Sequence, residues 1–298
     1  MSTPPTLALP SCARAYQLET GRGRFAVHDA RPSGPVRGTA LLVPGFTGSK
    51  EDFIALLEPL ALAGFRVVAV DGRGQYESAG PRDPDAYAPE ELARDVLAQT
   101  AAVAADAGAA PDRDGTGGVH VLGHSLGGLI VRAAVLRDPA PFASLTLMSS
   151  GPAAISAPQQ ARTRMLLEAL AVLDMESVWQ AMRELDPPEA PESGDSAEIR
   201  DFLRRRWLST VPEQLGATGR QLLHEPDRVA ELAAVAPPTH VLSGEVDYAW
   251  PVPLIDAMAV RLSARRSVIP GAGHSPNAER PAATAGALAE FWLGVTGR

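Results

Sequence analysis

The chain has 298 residues, with 27 basic and 35 acidic side chains that give a formal net charge of −8. This balance argues against a nucleic-acid binder, because affinity for the phosphate backbone comes from clustered Lys and Arg. The single cysteine, Cys12, excludes an intramolecular disulfide and a zinc site built from several cysteines. The hydrophobic fraction of 45% is ordinary for a globular protein with a large core.

Neither an export signal nor a membrane span is indicated by the sequence. Residues 1–17 have no basic region ahead of their apolar stretch, and three prolines interrupt that stretch. The longest uncharged run, 139–161, contains four prolines and is therefore not expected to form an uninterrupted spanning helix. We expect a cytoplasmic protein without membrane insertion or nucleic-acid partners, and the sequence leaves its oligomeric state open.

Short apolar runs alternate with helical stretches along most of the chain. Eight runs are typical of strands: 15–20, 24–28, 39–43, 65–70, 118–122, 145–148, 239–242 and 267–269. Helices are predicted near 50–63, 89–107, 126–137, 253–263 and 280–293. This alternation predicts an α/β fold, in which a mostly parallel eight-stranded sheet is flanked by helices.

Residues 152–236 interrupt this alternation. Two amphipathic helical stretches, 159–173 and 197–208, are separated by a turn-rich segment at 186–195. We expect a helical lid inserted over the sheet edge, with the core formed by 1–151 and 237–298. The basic stretch 200–206 is interpreted as a solvated helix face rather than an anion site.

The strongest local signal is a sharp turn between a strand and a helix. An apolar strand runs directly into Gly123-His124-Ser125-Leu126-Gly127, and a helix follows at once. Such a turn exposes the hydroxyl of its central serine, and the helix N-terminus directs amide donors towards an anion beside it. This context favours Ser125 as a nucleophile over the alternative, a tight packing turn.

Four further motifs lie at the ends of predicted strands. Besides 43–49 (VPGFTGS) and 71–78 (DGRGQYES), a third and a fourth lie near the C-terminus, at 241–247 (VLSGEVD) and 269–274 (IPGAGH). Asp247 stands at a strand end, where α/β sheets place their ligands, with Glu245 as a close rival and Asp256 as a weaker one. His274 is one of six histidines, and its selection depends on the chain order Ser125, Asp247, His274.

Taken in chain order, these motifs resemble those of the α/β-hydrolase superfamily, in its lid-bearing serine hydrolase branch. The resemblance implies Ser125 as nucleophile, His274 as base and Asp247 as its carboxylate. It also implies an oxyanion hole formed by the backbone N–H groups of Phe46 and Leu126. The chain departs from the family pattern at Pro44, where relatives often have His, and at Tyr76, which replaces a glycine.

The resemblance implies hydrolysis of a carboxylic ester or lactone of a small, largely apolar molecule through an acyl-enzyme. Alternatives are an acyl-thioesterase or acyltransferase of a biosynthetic pathway, a cofactor-free haloperoxidase or perhydrolase, and a non-catalytic binding protein. No metal or cofactor is implied. We expect aromatic side chains to line the substrate pocket, namely Trp179, Trp207, Tyr248 and Trp250.

Overall fold

The computed structural model describes residues 1–106, 118–184 and 196–297 and contains eight strands and eleven α-helices in these ranges. The strands are β1 (Ala13–Thr20), β2 (Gly23–Ala30), β3 (Gly38–Val43), β4 (Phe65–Val70), β5 (Val119–His124), β6 (Phe142–Met148), β7 (Thr239–Gly244) and β8 (Arg265–Ile269). The helices are α1 (Ile54–Leu62), α2 (Pro89–Asp106), α3 (Leu126–Arg137), α4 (Ala157–Val172), α5 (Met175–Glu184), α6 (Ala197–Ser209), α7 (Pro212–His224), α8 (Val229–Val235), α9 (Val252–Arg261), α10 (Pro276–Glu279) and α11 (Pro281–Thr296).

All eight strands form one sheet in the order β1-β2-β4-β3-β5-β6-β7-β8. The hairpin β1–β2 and the pair β2–β4 are antiparallel, and every later pair is parallel. The predicted α/β architecture with a mostly parallel sheet is confirmed. Because parallel strands end at the same edge, the loops after β3, β5, β7 and β8 meet there.

The sheet is covered on both faces, which explains why its central strands are apolar without alternation. Along β3, Leu41 packs into the cluster that includes α2, α3, α8 and α9, whereas Leu42 packs into the cluster of α1 and α11. Both side chains are fully buried. The central strands are therefore held in register by two separate cores.

Five helices, α4 to α8, lie between β6 and β7, where the sequence predicted two helical stretches. The helices α5, α7 and α8 were missed; α8 has only seven residues, and α7 contains Gly216 and Gly219, which disfavour a helix. The predicted turn-rich segment 186–195 lies outside the described residues. Helices α5 and α6, with Leu215 of α7, form a small core that includes Val178, Trp179, Phe202 and Trp207, whereas α8 packs into the cluster of α2, α3 and α9.

Hydrogen bonds and buried ion pairs connect these helices to the sheet domain. Arg132 of α3 donates from Nη2 to Glu225 Oε1 at 2.7 Å, just after α7. The amide of Val211 donates to the carbonyl of Gly74 at 2.8 Å. In the described part of the chain, no helix is long and apolar enough to cross a membrane.

Candidate active site

Ser125 lies at the turn between β5 and α3, with φ of 54° and ψ of −120°. This is an uncommon conformation for a residue with a side chain, and it costs on the order of 1–3 kcal/mol. The flanking glycines permit this conformation because, without side chains, they let the backbone segments of the turn approach each other closely. A Cβ at Gly123 would lie 2.2 Å from the Gly127 carbonyl oxygen, and one at Gly127 would lie 2.4 Å from the Val43 oxygen.

Ser125, His274 and Asp247 form one hydrogen-bonded chain. His274 Nε2 lies 3.0 Å from Ser125 Oγ, and His274 Nδ1 lies 2.9 Å from Asp247 Oδ2. The His274 side chain is 9% exposed and that of Asp247 is fully buried. A carboxylate accepts from Nδ1–H, so the Nε2 lone pair is directed at the serine hydroxyl.

Asp247 is fixed in the loop after β7 by its own backbone neighbourhood. Its Oδ1 accepts from the amides of Ala249 and Trp250 at 2.8 and 3.0 Å. The rival carboxylates lie elsewhere. Glu245 accepts from the amide of Gly271, and Asp256 on α9 pairs with a β8 arginine. Only Asp247 among these three contacts His274.

The loop that carries His274 is held by two neighbours. Glu279 of α10 accepts from the amides of Gly273 and Ser275. His124 Nε2 lies 2.8 Å from the carbonyl oxygen of His274, which can only accept, so Nε2 carries the proton. Burial lowers the pKa of His124 to about 3 and keeps this imidazole neutral.

The predicted oxyanion donors face no protein acceptor in the described residues. The amide of Leu126 stands at the first position of α3, and that of Phe46 lies in the tight turn closed by the Gly48 amide donating to Gly45 O at 3.2 Å. Free amides at a helix N-terminus are suited to bind an anion. Both segments border the cavity that contains Ser125.

Gln75 orients the Gly45–Phe46 peptide, which supplies the Phe46 amide. Its Nε2 donates to the carbonyl of Gly45 at 2.8 Å, and its Oε1 accepts from the amide of Gly72 at 3.0 Å. Because the peptide is trans, holding the Gly45 oxygen also directs the N–H of Phe46 to the opposite side. The motif at 71–78 was recognised in the sequence, but nothing in it identified Gln75 as the residue that holds the Gly45 carbonyl.

A buried charged cluster lies behind the same turn. Lys50 Nζ contacts Asp71 Oδ2 at 3.0 Å and Glu77 Oε2 at 2.6 Å, and the Lys50 amide donates to Asp71 Oδ1 at 2.7 Å. Burial alone would lower the pKa of Lys50, but the carboxylates of Asp71 and Glu51 outweigh it and raise that pKa. Tyr76 lies over the Lys50 ammonium and packs edge-on against Phe202 of α6.

The cavity at Ser125 has a volume of about 140 Å³. Its lining is mixed in polarity and comprises Met1, Ser2, Gly45, Phe46, Thr47, Gly48, Asp52, His124, Ser125, Ile155, Gln159, Thr163, Leu222, Tyr248, Ala249, His274 and Ser275. Within the described ranges, no cluster of three or more His, Cys, Asp or Glu side chains could hold a metal ion.

Of the four aromatic side chains predicted for the pocket, only Tyr248 lines this cavity, and its ring lies 4.6 Å from that of His274. The expectation fails for the other three because each is buried in a core. Trp179 and Trp207 form the core of the inserted helices, where Trp207 Nε1 donates to Met175 O at 2.7 Å. Trp250 is fully buried and donates to Ala153 O at 2.8 Å.

The solvated interpretation of the basic stretch is wrong for Arg206. This side chain is 1% exposed and donates from Nη1 to Asp52 Oδ1 at 2.7 Å. The signal was present in the sequence, because Arg206 falls on the helical stripe of Ile199, Phe202, Leu203 and Trp207. Asp52 therefore lines the cavity with Arg206 as its buried partner, and no motif in the sequence identified either residue.

An eight-stranded, mostly parallel sheet with a serine at a strained strand–helix turn defines the α/β-hydrolase class of folds. The model of the Alpha/beta hydrolase family matches residues 40–287, and the chain belongs to this family. The predicted superfamily is thus confirmed.

Two curated relatives and a solved structure illustrate the likeness. The chain is 37% identical over 142 residues to RutD of Variovorax paradoxus, assigned by name as a carbamate hydrolase, with 47% of each chain covered. It is 32% identical over 216 residues to the dihydrolipoyllysine-residue acetyltransferase component of the acetoin cleaving system of Cupriavidus necator, with 70% of this chain and 50% of that protein covered. The chain spans about half the length of these curated relatives.

A thermophilic esterase from Thermogutta terrifontis, solved with malate bound, superimposes with a TM-score of 0.71 at 24% identity. The match covers 95% of this chain and all of that one. At this identity the likeness concerns the fold.

Proposed function

We propose that the protein is a serine hydrolase that cleaves a carboxylic ester or lactone of a small molecule through an acyl-enzyme. The observation that carries the proposal is the chain of contacts Ser125 Oγ–His274 Nε2, 3.0 Å, and His274 Nδ1–Asp247 Oδ2, 2.9 Å, at the cavity. A serine is a weak nucleophile by itself, and an oriented imidazole within hydrogen-bond reach activates it.

In the proposed reaction, Ser125 Oγ attacks the carbonyl carbon while its proton passes to His274 Nε2. Asp247 holds the imidazole in the required tautomer and stabilises the imidazolium that forms. Collapse of the tetrahedral intermediate breaks the ester bond, and His274 returns the proton to the leaving alkoxide. A water molecule, deprotonated by the same His274, then attacks the acyl carbon. The bond from Ser125 Oγ to the acyl group breaks, His274 returns the proton to Oγ, and the acid is released.

The negative charge of the tetrahedral intermediate would be bound by the amides of Phe46 and Leu126. Loss of one such donor typically costs about 10²–10³ in rate. These donors are backbone groups, so Pro44 in place of histidine leaves them unchanged.

The mixed lining and small volume of the cavity favour a compact acyl group over a long lipid chain. The likeness to RutD supports testing carbamates as substrates, and the likeness to an acyltransferase component supports testing acyl thioesters. Both bonds are open to the same serine attack at a carbonyl carbon.

The test is a substrate panel run beside Ser125→Ala. The panel contains aryl esters of increasing acyl length, lactones, acyl thioesters and aryl carbamates. We expect turnover of short esters, and a loss in kcat of about 10⁴–10⁶-fold in the variant, because removing the nucleophile removes the whole covalent route. The variant should unfold at the temperature of the wild type or above it, since the replacement removes one hydroxyl group and no apolar packing contact.

Labelling with a fluorophosphonate provides an independent measurement. We expect the wild type to be labelled at Ser125 and Ser125→Ala to remain unlabelled. A wild-type protein that never labels, or a variant that keeps its turnover, contradicts the proposal.

A further inference from the structure

The N-terminal segment, residues 1–10, reaches the cavity that contains Ser125. Met1 and Ser2 belong to the lining of that cavity, together with residues of the catalytic loops. Along the segment, Pro4 is buried and Leu7 packs against the core of the inserted helices. Leu9 packs against the α1–α11 face of the sheet domain. The segment therefore crosses from the sheet domain, along the insertion, to the candidate active site.

Arg206 of α6 attaches this segment, at Ser2, to the insertion and to Asp52 at the edge of the cavity. Its guanidinium donates from Nη2 to the carbonyl of Ser2 at 2.7 Å and from Nη1 to Asp52 Oδ1 at 2.7 Å. The side chains of Arg206 and Asp52 are 1% and 0% exposed. A planar guanidinium presents these donors in a fixed geometry, so the Ser2 carbonyl is held at a defined distance from Asp52, which also lines the cavity.

The size of the cavity gives this arrangement a consequence for the substrate. The cavity at Ser125 has a volume of about 140 Å³ and is open to solvent on one side, and Met1 and Ser2 contribute to its boundary. A longer acyl chain would require the space that these residues occupy.

We propose that residues 1–9 form one wall of the acyl site, held in place by Arg206, and disfavour long acyl groups at Ser125. This inference depends on the proposed hydrolase function. It assigns the specificity for short acyl groups to a segment that precedes the sheet and to one buried arginine of α6. The segment takes no part in proton transfer or in binding the oxyanion.

The experiment compares esters of increasing acyl length on three variants of the full chain. The first lacks residues 2–8, and the second, Leu7→Ser, weakens the attachment of the segment to the insertion. The third, Thr6→Ala, is the matched control, because Thr6 is exposed and its hydroxyl accepts only from the amide of Ala8. The measured quantity is the ratio of kcat/KM for p-nitrophenyl octanoate to that for p-nitrophenyl acetate.

We expect this ratio to rise about tenfold or more in the deletion, since steric discrimination in a pocket is worth about 10–200-fold. Leu7→Ser should raise it in the same direction by a smaller factor, and Thr6→Ala should leave it unchanged. A segment that only stabilised the fold would lower both rates together and leave the ratio constant. The ratio therefore separates specificity from stability.

A ratio within about twofold of the wild type in both Leu7→Ser and the deletion would overturn the inference. If the deletion does not fold, the comparison of Leu7→Ser with Thr6→Ala decides alone. Fluorophosphonate labelling distinguishes failure of the N-terminal wall from failure of the hydrolase function. A wild type that labels, with an unchanged ratio in the variants, refutes only the wall, whereas a wild type that does not label refutes the hydrolase function.

Discussion

The sheet domain and the inserted helices α4–α8 differ in how their residues are used. Every proposed catalytic group lies in a loop of the sheet domain, and central strands such as β5 are buried along their whole length. In the insertion, α4 buries only Thr163, and its Val172 is 80% exposed. The sheet domain therefore holds the reacting groups on a large buried core. The insertion borders the cavity and has a much smaller core of its own.

The contrast indicates which substitutions should affect which property. Changes in the loops after β3, β5, β7 and β8 should alter rate constants with little change in substrate preference. Changes in the insertion or in the N-terminal segment should alter stability or preference and leave the reacting groups in position. The ion pair of Arg206 with Asp52 is a fully buried connection between the two regions beside the cavity, and its removal should have the largest effect on folding.

Arg206→Met is expected to lower the free energy of unfolding by about 3–5 kcal/mol, because it leaves the buried carboxylate of Asp52 without its counter-charge. Urea unfolding followed by circular dichroism measures the loss. Adding Asp52→Asn removes the unpaired charge, so the double variant should recover a large part of it. A loss below about 1 kcal/mol in Arg206→Met would mean that the ion pair does not join the regions.

Gln75→Met is expected to lower kcat by about 10–10²-fold with KM changed by less than about twofold. The substitution removes the donor that orients the Gly45–Phe46 peptide, and the oxyanion amide acts mainly in the transition state. Steady-state kinetics on a short aryl ester measures the separate effects on kcat and KM. Gln180→Met serves as the matched control, because Gln180 is exposed on α5 and its side-chain amide donates to Glu176 of the same helix. An unchanged kcat, or a change confined to KM, would contradict this role for Gln75.

A pair of identical substitutions compares the packing of the two regions directly. Val131 on α3 is fully buried against the sheet, and Val172 on α4 is 80% exposed. We expect Val131→Ala to cost roughly 1.5–3 kcal/mol in unfolding free energy and Val172→Ala to stay within about 0.5 kcal/mol of the wild type. Equal losses, measured by thermal unfolding, would refute the distinction between a packed domain and a weakly buried helix.

The buried histidines of the sheet domain predict a pH dependence of stability. Burial lowers the pKa of His120 to about 4, so the unfolded chain binds a proton that the folded chain excludes between roughly pH 6.5 and 4. Stability should therefore fall as the pH falls through this window, by at most about 1.4 kcal/mol per pH unit for this residue. Below it, the folded chain also binds the proton and this contribution stops changing.

His120→Gln should flatten the curve of unfolding free energy against pH over the same window. His240→Gln should act in the same direction, because burial lowers the pKa of His240 to about 3. The measurement is the midpoint of urea unfolding at half-unit intervals of pH. Curves parallel to that of the wild type in both variants would show that these histidines do not carry the dependence.

The secondary structure of the sheet domain could be predicted closely from the sequence. Strand β4 and helix α3 begin and end at the predicted residues, and the other strands are within a few residues of prediction. Continuous apolar runs and strong turn signals identify such elements because both faces of the sheet are buried. The insertion was predicted less well, with two helical stretches in place of five, since α8 is only seven residues long and α7 carries two glycines that disfavour a helix.

The sequence by itself determined the family, the strand–helix turn at Ser125 and the chain order of Ser125, Asp247 and His274. These features are local, because a turn or a strand end is defined by a few neighbouring residues. Only the tertiary structure decided that Gln75 holds the Gly45 carbonyl, that Tyr248 lines the cavity, and that Arg206 joins Ser2 to Asp52. Arg206 and Ser2 are 204 residues apart, and such contacts depend on how separate elements pack in space.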